Sequence, residues 1–309
     1  MKRRAFVRGI TAAGAATAFG APRWPPGRLP EGRRVSRLDT GWRFLRDDPA
    51  GAESPGLDDA AWQPATLPHA ARVEPLVPTP QWQGVCWYRR RLRLGPEAAG
   101  RVVLLRFEGA MNVAEVWLDG ERLGSHLGGY LPFVLNVSHL VQPGREHLLA
   151  VRLDNRDNPI TGPKPLAQLD FNLYHGLYRP VYLVRQDRLH ITDPQVAGRP
   201  ASGGVFVTYP QVSPQSATVR VQVHLRNDHP DPRDARVRVR LRTPAGRIAA
   251  VATSPSTTLG AGADLDVSQE LRVEAPRLWS PAAPNLYALD CQVLDGDDIV
   301  DAETLRVGL

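Results

Sequence analysis

Lysine is nearly missing from this sequence: of 38 basic residues only Lys2 and Lys164 are lysines, so arginine carries the formal charge of +6. The arginines are scattered through strand-like segments, as in Arg236, Arg238, Arg240 and Arg242. That i, i+2 spacing puts them on one solvated strand face. No basic run is interleaved with aromatics in the manner of a single-strand nucleic-acid platform, so a nucleic-acid partner is not expected. Cysteine is also scarce. Cys86 and Cys291 fall in different expected domains and lack histidines at ligand spacing. They are expected to be small buried apolar residues, forming neither a disulfide nor a zinc site. No apolar run approaches the roughly 20 residues that span a bilayer, so no membrane partner is expected. Phosphate-loop glycines and a nucleophile–histidine–acid set are absent too, and no cofactor or metal is expected.

Proline and glycine, by contrast, are plentiful, at 29 and 27 of 309 residues. They make turns frequent and long helices improbable, and the length is sufficient for two domains. The N-terminus reads M-K-R-R-A-F-V-R-G, followed by a short Ala- and Gly-rich apolar stretch and small residues at Ala16-Thr17-Ala18. It resembles a twin-arginine export signal over residues 1–24, which implies a periplasmic or extracellular protein.

From residue 33 onward the pattern is short strands and turns. Asp119-Gly120 is a tight-hairpin signal between two apolar strands. Residues 128–133 and 141–144 are further turns. Regularly spaced turns between short strands predict a β-sandwich over 33–190. Beyond 190 the alternation is cleaner. Val219, Val221, Val223 and Leu225 share one face, as do Val237, Val239 and Leu241, and Leu289, Cys291 and Val293. One apolar face per strand predicts two packed antiparallel sheets over 191–309, an immunoglobulin-like sandwich. His190 to Pro194 reads as the hinge. Trp279, in the Pro-rich segment 276–287, is expected to anchor that loop by packing. His69, after Pro68, is expected to be structural. Glu108, Glu115 and Asp119 sit at strand ends, exposed faces or a turn, and nothing marks them as a converging acid pair.

Residues 159–180 read P-I-T-G-P-K-P-L-A-Q-L-D-F-N-L-Y-H-G-L-Y-R-P. Three prolines and a glycine make the first half stiff and irregular. The second half sets Asp170 among Phe171, Tyr174, His175 and Tyr178, and Gly176 then turns the chain into the apolar strand at 181–184. Carboxylates accept hydrogen bonds from hydroxyls and aromatic faces cover C–H surfaces, so this loop could grip a sugar. Asp is equally a turn former and the aromatics equally core.

Q-L-D-F-N-L-Y-H-G-L-Y-R-P-V-Y-L resembles the end of the sugar-binding domain in family 2 glycoside hydrolases, the β-galactosidase and β-glucuronidase group. The resemblance continues in W-Q-G-V-C-W-Y-R-R (82–90), in the segment L-R-F-E-G-A-M-N-V-A-E-V-W-L-D-G-E-R-L-G, in H-L-L-A-V-R-L-D-N, and in L-W-S-P-A-A-P-N-L-Y (278–287). It implies an all-β chain, a galactose-binding-like jelly roll followed by an immunoglobulin-like sandwich. It makes Asp170 the residue expected to touch substrate, with Gln83, Trp82, Tyr174 and His175 beside it; Gln81 competes with Gln83 and Trp82 for the role of the loop's polar contact. The expected partner is a β-linked glycan or glycoside. The family's catalytic glutamates lie on a barrel, one beside an Asn. No Asn-Glu pair occurs here, and no strand–helix alternation could build a barrel. No catalytic residue is therefore assigned, and the polypeptide alone is expected to be inactive. Three readings stay open: the non-catalytic part of a family 2 enzyme whose barrel is lost or encoded separately, a stand-alone exported carbohydrate-binding protein, and a structural two-sandwich protein.

Overall fold

Apolar side chains recurring at every second residue force strands to pack face to face, and that is how the chain is arranged. A computed structural model describes residues 32–73, 81–162, 171–173, 175–199 and 201–309. The first sandwich contains β1 (Arg34–Arg37), β2 (Trp42–Leu45), β3 (Gln63–Ala65), β4 (Val85–Arg93), β5 (Val102–Phe107), β6 (Val113–Leu118), β7 (Glu121–Leu127), β8 (Phe133–Asn136), β9 (Glu146–Asp154) and β10 (Val181–Gln186). They form a six-stranded sheet ordered β3-β2-β4-β9-β6-β7 and a four-stranded sheet ordered β1-β10-β5-β8. Trp42, Tyr88, Leu105, Phe107, Leu149 and Val151 fill the space between them.

The second sandwich contains β11 (Leu189–Ile191), β12 (Val205–Val212), β13 (Ser216–Asn227), β14 (Arg233–Arg242), β15 (Ile248–Thr253), β16 (Thr257–Leu259), β17 (Asp264–Glu274), β18 (Tyr287–Asp295) and β19 (Asp298–Val307). In one sheet β13 lies between β17 and the pair β11 and β12; in the other the order is β15-β14-β18-β19, with β16 also on β14. Val219, Val221, Val223, Leu225, Val237, Val239, Leu241, Leu289, Cys291 and Val293 are all fully enclosed. The fold is all-β, as the alternation predicts.

Local details follow from residue chemistry. Asp119 and Gly120 both take positive φ, at 53° and 85°, which lets a two-residue turn join β6 to β7. Asp119 also accepts the Leu148 amide at 2.7 Å and contacts His147 Nδ1 at 2.8 Å, so its carboxylate is a structural brace. Glu115 meets Arg122 and Arg152, and Glu108 meets Arg106. His69 packs on Phe44, with ring centroids 4.7 Å apart, and its Nδ1 lies 2.8 Å from the Tyr88 hydroxyl. Both cysteines are free and buried.

Three details go beyond the sequence reading. Not every arginine is solvated: Arg89 is fully buried and donates to the carbonyls of Ala52, Ser54 and Leu57 and to Asp59, stitching the 51–59 loop over the sheet. The passage between the sandwiches is short: only Asp187 and Arg188 separate β10 from β11, so His190 already lies in a strand of the second sandwich, buried. Trp279 packs its loop onto the end of β19 while remaining half-exposed. It is 48% exposed and lies over Gly308, its amide donating to the Leu309 carbonyl at 2.6 Å. Tyr287 is the enclosed ring, and its hydroxyl accepts from the Arg277 amide at 2.8 Å.

The two sandwiches are fastened together by the residues that precede β1. Arg33 is buried; its Nε and one terminal nitrogen donate to the two oxygens of Asp301 at 2.8 and 2.7 Å, and that nitrogen also reaches the Ile191 carbonyl at 2.7 Å. Its other terminal nitrogen meets Glu303. Asp301 completes the clasp by accepting the Ile191 amide at 2.8 Å. Gly32 runs so close to β19 that an added Cβ would lie 1.6 Å from the Val300 carbonyl oxygen.

Candidate functional site

Register brings several loops to one end of the first sandwich. Val85 at the start of β4 and Val113 at the start of β6 both lie opposite Asp154, the last residue of β9. Residues 81–84, 108–112 and 155–158 therefore emerge side by side. Gly176 joins them through an antiparallel bridge to Met111. The segment leading to β10 is thereby held against the same end.

Hydrogen bonds fix this rim. The buried amide of Gln81 donates to the Phe171 carbonyl at 2.7 Å and accepts the Leu173 amide at 2.9 Å. Asn155, also buried, accepts the Gly84 amide at 2.7 Å and donates to the Trp82 carbonyl at 3.0 Å. Gln83 is exposed, and its carbonyl accepts the Asp157 amide at 2.9 Å. Loops that would otherwise fray are in this way tied to one another, the pre-organisation a binding site needs.

Trp82 is the wall of the rim. Its ring meets His175 edge-on at 5.6 Å, and the Arg46 guanidinium lies 5.9 Å from its centroid. His175 is enclosed, with neither ring nitrogen hydrogen-bonded among the described residues. Burial pushes its pKa down to about 4, so it is a neutral ring at ordinary pH. Its position suits it to backing Trp82. Phe171, 45% exposed, offers the apolar face next to Asp170 in sequence. Around the edge, Arg156 pairs with Asp154. Burial works against the Asp154 charge, but the hydrogen bonds and attraction of Arg156 outweigh it and hold the carboxyl below its usual range.

Of the residues singled out by sequence, Trp82, Gln83 and His175 are brought together here. Asp170 and Tyr174 lie outside the described residues, as does the export signal. Gln81 is spoken for by the loop it holds, which leaves Gln83 as the exposed amide. Asn155 and Arg46 went unnoticed in sequence. The Asp154-Asn155 pair closing an apolar strand was a signal for the first; nothing near Arg46 points to Trp82. Among the described residues no group of three or more His, Cys, Asp or Glu is placed to hold a metal ion. No described helix is long and apolar enough to cross a membrane.

Comparison with known proteins bears on this rim. Residues 68–187 match the sugar binding domain of glycosyl hydrolases family 2, and residues 204–309 match a second model of glycosyl hydrolases family 2. A β-glucuronidase of Formosa agariphila is 24% identical over 294 residues, covering 90% of this chain and 30% of the relative. A β-glucuronidase of Bacteroides fragilis is 29% identical over 232 residues, covering 74% of this chain and 31% of the relative. A β-galactosidase of Bacteroides ovatus is 27% identical over 288 residues, covering 90% and 32%. The crystal structure of Bacteroides uniformis β-glucuronidase superposes with a TM-score of 0.80 at 25% identity, over 90% of this chain and 32% of that one. The chain thus spans about a third of the length of these relatives and corresponds to their N-terminal portion. It belongs to glycosyl hydrolase family 2, whose sugar-binding jelly roll and immunoglobulin-like sandwich it joins in one all-β unit.

Proposed function

We propose that this chain is the non-catalytic, saccharide-contacting part of a family 2 glycoside hydrolase acting on a β-linked glycan or glycoside. The observation that carries the reading is the tied rim at Trp82, Gln83, Asn155 and Phe171, inside the segment matching the family's sugar binding domain. Asp170 is assigned the hydroxyl contact, because a carboxylate next in sequence to the exposed Phe171 offers a hydrogen-bond acceptor together with an apolar face. Gln83 supplies a second polar group, while His175 and Trp82 form the wall. Tyr174 is assigned a saccharide contact as well. Export by the twin-arginine route through Arg3-Arg4 belongs to the proposal.

The candidate acids Glu108, Glu115 and Asp119 are each engaged by an arginine or a histidine, and the bond-breaking groups are assigned to a catalytic barrel outside these residues. The purified chain is expected to give no turnover of nitrophenyl β-galactoside or β-glucuronide above buffer; measurable turnover would refute that assignment. Calorimetric titration with methyl β-glucuronide and methyl β-galactoside tests the binding role. Heat that disappears in Asp170→Ala supports it. Equal heat from the wild type and this variant contradicts it. Cell fractionation of an Arg3→Lys, Arg4→Lys double variant tests export, with retention in the cytoplasm as the expected result.

A further inference from the structure

The second sandwich has an opening of its own. Among the described residues β15 pairs only with β14 and β17 only with β13, so the two sheets present free edges to each other on one side. Where these edges part, a groove of about 410 Å³ is lined by Thr243, Arg247, Ile248, Arg272, Arg277 and Tyr287, among others. Its walls are preformed. The β14–β15 turn is closed by the Thr243 amide on the Arg247 carbonyl at 2.8 Å and the Gly246 amide on the Thr243 carbonyl at 2.8 Å. Opposite, the Ala275 amide donates to the Gln215 carbonyl at 2.8 Å, and the Arg277 amide is held by the Tyr287 hydroxyl.

The charge in this groove is unbalanced. Arg272 is tied to Glu274 at 2.6 Å, but Arg247 and Arg277 have no carboxylate partner among the described residues. Elsewhere on the sandwich, Arg220 meets Glu270, Arg242 meets Asp290 and Arg199 meets Asp266. Two guanidinium forks left open beside an exposed Ile248 suit a ligand with carboxylates and an apolar ring face. The volume falls within the range of small-molecule sites and far exceeds what a lone phosphate fills.

We propose that this groove is a second carbohydrate site, one that takes an acidic saccharide bearing uronate carboxylates. It does not depend on the rim of the first sandwich. The groove lies at the Ser216–Glu274 end of the β13–β17 ladder, whereas the passage to the first sandwich lies at the Leu225–Leu265 end. Nine residue steps separate the two ends, roughly 30 Å at about 3.3 Å per residue. A long acidic glycan held at the groove would stay at high effective concentration near the rim.

The test is titration of the whole chain with trigalacturonate, followed by calorimetry and by amide chemical shifts. Shifts confined to residues 243–249 and 272–277 are expected. An uncharged trisaccharide, cellotriose, should bind about tenfold more weakly or worse, because two charge-assisted contacts are lost. An Arg247→Ser, Arg277→Ser double variant should lose about the same factor. Both positions are exposed, so its melting temperature should match the wild type. Trp82→Ala should leave this binding intact, which separates the groove from the rim. Equal affinity for cellotriose, full displacement by equimolar inorganic phosphate, an unaffected double variant, or shifts outside these segments would each overturn the proposal.

Discussion

Gly176 sits where no side chain fits. Its φ of +98° is disfavoured for other residues, and a Cβ would lie 2.3 Å from the Tyr88 hydroxyl and 2.9 Å from the His69 carbonyl oxygen. Gly176→Ala should therefore cost about 2–4 kcal/mol, read from urea unfolding, since strain and overlap add. His175 beside it gives a pH test. Its folded pKa of about 4 lies below the ordinary histidine value, so the unfolded chain takes up the proton first as pH falls. Its contribution is complete above roughly pH 6.5 and is lost progressively toward pH 4. Acidification from pH 7 to 5 should lower the melting temperature of the wild type more than that of His175→Phe; an identical drop would contradict the account. The need for glycine at 176 was legible as a turn before an apolar strand. The isolation of His175 was not, because it depends on Trp82, more than 90 residues away in sequence.

At the scale of elements, the strands were legible and their fastenings were not. Alternation in β13, β14 and β18 marks which residues point inward, because a strand's side chains switch faces at each step. The Asp119-Gly120 turn was equally plain. Arg33 shows the limit: nothing local distinguishes it from solvated arginines, yet it joins β19 across 268 residues of sequence. Breaking a buried ion pair leaves a charge unpaired, so Asp301→Ala should cost about 3–5 kcal/mol in a denaturant titration. The aromatic pair at the 276–287 loop gives a contrast. Tyr287→Ala should cost about 3–5 kcal/mol, as for enclosed rings, whereas half-exposed Trp279→Ala should cost clearly less. A Trp in a Pro-rich segment looks like an anchor in sequence, but size does not say which of two neighbouring aromatics the sheets enclose.

At the scale of the molecule, two separate cores are joined by a short passage, by the Arg33 clasp and by the Gln195 amide on the Pro132 carbonyl. The first sandwich gathers its loops at one end because β4, β6 and β9 share a register there, so saccharide contact is assigned to the rim. Chain order hinted at this through the aromatic stretch entering β10, while the partners of that stretch, Gln81 and Trp82, became visible only once distant strands were paired. The most direct test is an amide chemical-shift map of the whole chain titrated with methyl β-glucuronide and methyl β-galactoside. The account predicts perturbations concentrated at residues 82–84, 155–158 and 171–173, with the Trp82 indole among them. Saturating ligand that leaves these signals in place, or that moves signals only on other faces, would contradict it.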